Sequence, residues 1–380
     1  LKAIGAREKV TETGSTPIPI GTSSTGNDFS LGLSLSYEID LWGKIRRSNE
    51  AARAELLSAD YNRANVQLTV VSQVVSGYFN LRALDLQLSI AKATYDSRKD
   101  SYELIAKRFK GGVSSELDAK QSESEMHAAR ASVAQIEDQV SQAESALGIL
   151  LGRNPKDLIE TPIARGQSLD EIAMPPDLPT TLPSTMLERR PDIAAAEESL
   201  VAANARIGVA KAYYFPTISL GGGLGYESSD LKNLFKGASQ TWSYGLGLSL
   251  PIFNGGKTGF LVEAATAQQK QALIQYQQVI QNAFTEVRNA LKTFESYAEV
   301  VDAQNKQVAA IERNLYLANL RYKNGQSPYL EVLDAERQLF QVQLDLVKSQ
   351  QSRLVSVVDL YKALGGGWEK AKDKSSQASN

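Results

Sequence analysis

Two stretches decide the fold: Leu31-Gly32-Leu33-Ser34-Leu35-Ser36-Tyr37-Glu38-Ile39-Asp40-Leu41-Trp42-Gly43-Lys44 and Tyr244-Gly245-Leu246-Gly247-Leu248-Ser249-Leu250-Pro251-Ile252-Phe253-Asn254-Gly255-Gly256-Lys257. They stand 213 residues apart, as Lys44 does from Lys257, and Gly32/Gly245, Leu33/Leu246, Leu35/Leu248, Ile39/Ile252 and Gly43/Gly256 coincide. The register continues through Glu50-Ala51-Ala52 with Glu263-Ala264-Ala265, then Arg108/Arg321, Gly112/Gly325, Leu117/Leu330, Leu147/Leu360 and Gly152/Gly365. No insertion interrupts it over roughly 120 residues, the mark of a tandem duplication. Each half therefore holds one copy of a strand–helix–turn–helix unit.

Both stretches alternate with period two. Leu31, Leu33, Leu35, Tyr37 and Ile39 interleave with Gly and Ser, as do Trp242, Tyr244, Leu246, Leu248, Leu250 and Ile252, which predicts strands with one bulky and one small face. A further strand precedes each, clear at Ile218, Leu220, Leu224 and Tyr226 and weaker near Ile4–Thr13. Polar loops at Gly14–Asn27 and Glu227–Gln240 join each pair into a hairpin. Two readings fit the strands: a sheet packed on helices in an α+β protein, or part of a transmembrane barrel with bulky residues toward lipid.

Behind each strand the period changes. From Lys44 to Lys110 there is no proline and one glycine, Gly77; from Lys257 to Asn324 there is again no proline, and only Gly259. Helices of that length would run roughly 100 Å. Returning helices at Ser114–Leu151 and Pro328–Leu364 complete antiparallel coiled-coil hairpins, and Leu182–Lys211 adds a helical pair segment with Pro191 in a first turn. Continuous polarity excludes a membrane-spanning helix.

Composition bounds the chemistry. The 380 residues contain no cysteine and one histidine, His127, and carry a net charge of −2. Disulfides, thiolate metal sites and cysteine catalysis are excluded, and nothing draws the chain to nucleic acid. No enzyme, cofactor or metal site is expected. Four strands cannot close a barrel, since closed barrels start near eight. Three chains of four would give twelve, so the geometry asks for an oligomer.

The stretch Tyr37-Glu38-Ile39-Asp40-Leu41-Trp42-Gly43-Lys44 resembles the strand-to-helix junction of the outer-membrane efflux proteins of the TolC and OprM kind. Leu187-Glu188-Arg189-Arg190-Pro191-Asp192-Ile193, Tyr214-Phe215-Pro216-Thr217-Ile218 and Leu364-Gly365-Gly366-Gly367-Trp368 carry the same resemblance, nearest to the OprM-like branch. It implies a mainly α protein with transmembrane β: a homotrimer with a twelve-stranded barrel in outer-membrane lipid and a periplasmic α-helical barrel. It also implies a passive, gated exit duct for drugs or other small toxic compounds, joined to a periplasmic adaptor (membrane fusion) protein and an inner-membrane resistance–nodulation–division transporter. A type I protein-secretion duct and a soluble coiled-coil scaffold are the alternatives. On this reading residues 1–43 and 214–254 are the barrel hairpins, and 44–151 and 255–365 the periplasmic coiled-coil hairpins. Residues 152–185 form an equatorial segment, 186–213 equatorial and α-barrel helices, and 366–380 an equatorial tail. Members carry a helical pair before the first strand and often a lipidated N-terminal cysteine, so a leader and about 80 to 100 further residues are expected upstream.

The two helix-to-helix turns, Arg108-Phe109-Lys110-Gly111-Gly112-Val113 and Arg321-Tyr322-Lys323-Asn324-Gly325-Gln326, carry the functional signal. The resemblance makes them the periplasmic tip, with Gly112, Val113, Gly325 and Gln326 where adaptor tips dock. It maps a constricting apolar position to Leu330 and a carboxylate ring to Asp334, with Arg337 one turn on. Glu331 and its repeat equivalent Asp118 match tip acids, and Tyr322 an aromatic that bonds a neighbouring acid. Ser327 occupies the place of an arginine clamp and cannot make its ion pair, so the latch is expected to rely on Leu330 packing and the Asp334–Arg337 region. The plainer reading is that Glu331 and Asp334 are helix N-terminal acids favoured by the macrodipole.

Other motifs carry less. Asn254-Gly255-Gly256-Lys257-Thr258 mimics a phosphate loop, but Pro251 stands where its first glycine belongs. Gly221-Gly222-Gly223-Leu224-Gly225 lacks a following helix and reads as strand, and His127 and Glu197-Glu198 as helix surface. Trp242 and Tyr244 fit either an interfacial aromatic belt or ordinary strand packing.

Overall fold

The structure, a computed structural model, describes residues 2–9, 25–154, 156, 163–172 and 189–366. Strands β1 (Lys2–Lys9) and β2 (Thr25–Ile39) lead into helices α1 (Lys44–Lys110) and α2 (Glu116–Leu150). Helix α3 (Pro191–Ala212) precedes β3 (Thr217–Ser228) and β4 (Gln240–Ser249), which lead into α4 (Lys257–Lys323) and α5 (Tyr329–Ala363). Both long helices have 67 residues and both returning helices 35, so the duplication is reproduced residue for residue.

Contacts divide the chain into two units, one of Leu1–Ser58 with Glu197–Gln275 and one of Ala59–Ala196 with Tyr276–Asn380. The first holds a four-stranded antiparallel sheet in the order β1-β2-β3-β4. Its register sets Tyr37 opposite Leu220 and Leu33 opposite Leu224, which in turn face Leu246 and Trp242 on β4. The bulky side chains of β2, β3 and β4 thus share one face, and it is bare: Leu35, Trp242 and Tyr244 are 76%, 73% and 81% exposed. A sheet packed on helices would bury this face. The opposite face is mostly Gly and Ser with a few polar residues and Ile4 of β1, and at Gly225 a Cβ would lie 2.5 Å from the Leu31 carbonyl oxygen.

Two expectations about the strands need correction. β2 begins at Thr25, inside the stretch read as loop, because Thr25 to Asn27 pair with Lys9 to Arg7 through backbone bonds that need no hydrophobic alternation. β4 ends at Ser249, short of Leu250 and Ile252, because Pro251 has no N–H to continue a ladder. Residues 10–13 and 182–188, where a strand end and the start of a helical pair were expected, lie outside the described residues.

The strand-to-helix corner is built by the residues that resemble the family. Gly43 turns with φ +76°, and the Asp40 carboxylate accepts from the Ile45 and Arg46 amides at 2.9 and 2.8 Å, capping α1. Trp42 stacks on Phe215 at 4.6 Å while its indole N–H donates to the Pro216 carbonyl at 2.8 Å. In the second unit Arg190 donates to the Ala363 carbonyl at the end of α5, and to Asp192 and Glu286. It thereby ties the starts of α3 and the end of α5 to α4, around a core of Ile193, Ala283, Val287 and Leu360. Among the described residues no helix is long and apolar enough to cross a membrane, which says nothing of strands.

Candidate gate at the helix-to-helix turns

Each long helix ends in the same hydrogen-bonded motif. The amides of Gly112 and Val113 donate back to the carbonyls of Phe109 and Arg108, both at 2.9 Å. Those of Gly325 and Gln326 donate to Tyr322 and Arg321 at 3.0 and 2.9 Å. This is the Schellman arrangement, and it requires left-handed backbone at the middle glycine: φ is +71° at Gly112 and +70° at Gly325. The next helix then starts within a few residues.

The side chains of the two turns differ. Ser115 caps α2 by accepting from the Asp118 amide at 3.1 Å, and Asp118 accepts in return from the Ser115 amide and the Ser114 hydroxyl. That closed capping box makes Asp118 a helix N-terminal acid. In the second turn the N-cap is Pro328, which offers no side-chain bond. Glu331 instead faces Arg321 at 3.6 Å, both side chains being exposed. The Ser327 hydroxyl is buried without a partner among the described residues.

Helix α5 presents two faces here. Tyr329, Val332, Leu333 and Ala335 are buried with Ile105 of α1, Ala119 of α2 and Ala318 of α4, so all four helices meet in one core. Burial pushes the Tyr329 phenol up to about 12, against the opposing pull of hydrogen bonds with Ser122 and Ser101. Leu330, Glu331, Asp334 and Arg337 lie on the other face, Leu330 being 52% exposed. Tyr322 leans on Tyr329 at 5.1 Å, beneath the Arg108 guanidinium at 6.0 Å. Val113, Gly112, Gly325 and Gln326 are exposed at the turns.

The two charged residues of the Asp334–Arg337 region have different partners. Asp334 accepts from Gln338 on its own helix at 2.7 Å, whereas Arg337 grips Glu125 of α2 at 2.8 Å through Nε and 2.5 Å through Nη2. The second Glu125 oxygen is held by Arg98 of α1 at 2.9 Å, and both residues are buried, 5% and 8% exposed. One carboxylate thus joins three helices through two guanidiniums. Sequence reading missed Arg98 and Glu125. The available signal was heptad spacing: Ser122, Ala129 and Ile136 mark a buried seam seven residues apart, and Glu125 falls at its other core position. Among the described residues no group of His, Cys, Asp and Glu could hold a metal ion.

An open apolar sheet, a doubled helical hairpin and tight paired turns define a channel-forming outer-membrane protein that closes its barrel with copies of itself. The family model for outer membrane efflux proteins matches residues 6–153 and 182–366, and the chain belongs to that family. It is 37% identical over 349 residues to the cation efflux system protein CusC of Escherichia coli O6:H1, covering 92% of this chain and 75% of CusC. It is also 37% identical over 351 residues to the solvent efflux pump outer membrane protein SrpC of Pseudomonas putida, covering 92% of this chain and 73% of SrpC. The Campylobacter jejuni CmeC outer membrane channel superposes with a TM-score of 0.91 at 31% identity, covering 99% of this chain and 79% of CmeC. The protein is an outer-membrane exit duct of an efflux system, and its family works as trimeric channels of tripartite pumps. Three four-stranded sheets supply the twelve strands of its barrel.

Proposed function

We propose that this duct passively conducts drugs or other small toxic compounds, with no reaction of its own, and is gated at the turn between α4 and α5. It receives its cargo from a resistance–nodulation–division transporter through a periplasmic adaptor, whose tips dock at Gly112, Val113, Gly325 and Gln326. Relatives with different cargoes support the passive reading: a cation system and a solvent pump share the same 37% identity with this chain. Selection then belongs to the transporter.

The observation that carries the gate is the exposed face of α5, where Leu330 and Asp334 stand one turn apart while their neighbours fill the core. In a trimer Leu330 narrows the aperture and Asp334 forms a ring of three carboxylates, which concentrates cations and resists full ionisation. Glu331, Tyr322 and Asp118 shape the surrounding turns, and Arg337 anchors α5 to Glu125. Replacing Leu330 and Asp334 together by alanine is expected to raise single-channel conductance in planar bilayers. Unchanged conductance in a folded trimer would remove both residues from the gate.

A further inference from the structure

We infer that Glu336 is a positioning residue through which protonation sets the hold of α5 on α1 and α2, an inference that rests on the gate proposed above. Glu336 lies on α5 beside Arg337, and its Oε2 is buried with no hydrogen-bond partner among the described residues. The Arg98 Nε is likewise buried and unpartnered. Both residues line one groove of about 330 Å³, together with Ser97, Thr94, Phe340 and Leu315. The guanidinium of Arg98 is meanwhile committed to Glu125, through the carboxylate at 2.9 Å and the main-chain carbonyl at 3.3 Å. Two carboxyl groups on two helices therefore face one buried guanidinium, whose Nη1 is held by Glu125.

The charged and titratable groups facing Glu336 are Arg98 from α1, Glu125 from α2 and Tyr329 from its own helix; α4 contributes Leu315 to the groove. Burial raises the Glu336 carboxyl above its ordinary value, Arg98 pulls it down and Glu125 pushes it up. The packed arrangement thus binds a proton more tightly than one in which α5 has moved into water. Its stability is complete below the ordinary glutamate pKa of roughly 4.3 and is lost as pH rises through the raised value. A neutral Glu336 leaves Arg98 on Glu125, which in turn holds Arg337. An ionised Glu336 needs a donor, draws Arg98 from Glu125 and repels that carboxylate, so the hold on α5 weakens.

The test is the pH profile of single-channel conductance in planar bilayers, with pH varied on the side of the turns. The full protein is expected to show a several-fold rise in conductance as pH increases, and Glu336→Gln a flat profile at the low value. Glu336→Met, an apolar replacement of similar size, is expected to behave alike and serves if the glutamine variant fails to fold. His127→Gln removes an exposed group on α2 near Glu123 and is expected to leave the profile in place. Infrared spectroscopy reads the same group without transport: the protonated carboxyl band that titrates in the full protein is expected to be lost from Glu336→Gln. A glutamine variant with the parent's pH profile, or with its full carboxyl band, overturns the inference. If Leu330→Ala with Asp334→Ala opens the channel while Glu336→Gln keeps the parent profile, the gate stands and the proton link alone is rejected. If the alanine pair changes nothing, the gate itself has failed.

Discussion

The turns at 111–115 and 324–328 are copies of one ancestral turn, and they divide their work differently. Their backbones agree bond for bond, down to left-handed glycines one degree apart in φ. Their side chains do not. Ser115 and Asp118 close on each other and leave no polar group seeking a partner, whereas Pro328 caps nothing and leaves Glu331 to Arg321. At the position equivalent to Asp334 the first copy carries Gln121, so only the second can supply a carboxylate ring at that level. Duplication kept the mechanics of the turn and freed one copy's side chains for another task.

The largest expected effect breaks the connection between the copies. Glu125→Ala removes the buried carboxylate that Arg98 and Arg337 both hold, a loss of about 3–5 kcal/mol by analogy with other buried pairs. It should appear as a marked fall in the unfolding midpoint of the detergent-solubilised trimer. A change no larger than that of an exposed ion pair would show that Glu125 does not join the hairpins.

Smaller and deliberately equal effects are expected at the glycines. Gly112→Ala and Gly325→Ala each force a Cβ into left-handed backbone, at a cost of about 1–2 kcal/mol. Unequal losses in the same melting measurement would mean that the shared backbone geometry hides different local packing. Smallest are the caps, where the copies should part. Ser115→Ala removes a capping side chain and is expected to lose about 1 kcal/mol. Pro328→Ser should instead gain a fraction of that, since Glu331 stands where a capping-box acid belongs. Equal signs for the two substitutions would contradict the division of labour.

Much of this was legible before any coordinates. Period-two alternation located the sheet, and glycine spacing located the ends of all four hairpin helices, because both are local properties of the chain. The polar start of β2 at Thr25 was not legible, since ladder bonds carry it without an apolar pattern. Nor was the Arg98–Glu125–Arg337 connection: its members lie mid-helix on different helices, and their meeting depends on how the helices are staggered. The resemblance led instead to Asp334, which accepts from Gln338, with Arg337 one turn further on. Leu330 and Asp334 are exposed on α5, while Asp118 is engaged in the capping box of α2.

The proposed gate lies at the second turn and not at the first. Single-channel conductance in planar bilayers tests it directly, by setting Leu330→Ala with Asp334→Ala against the repeat-equivalent pair Leu117→Ala with Gln121→Ala. Higher conductance is expected for the first pair and parental conductance for the second. Equal conductance for the two pairs, whether raised or unchanged, would contradict it.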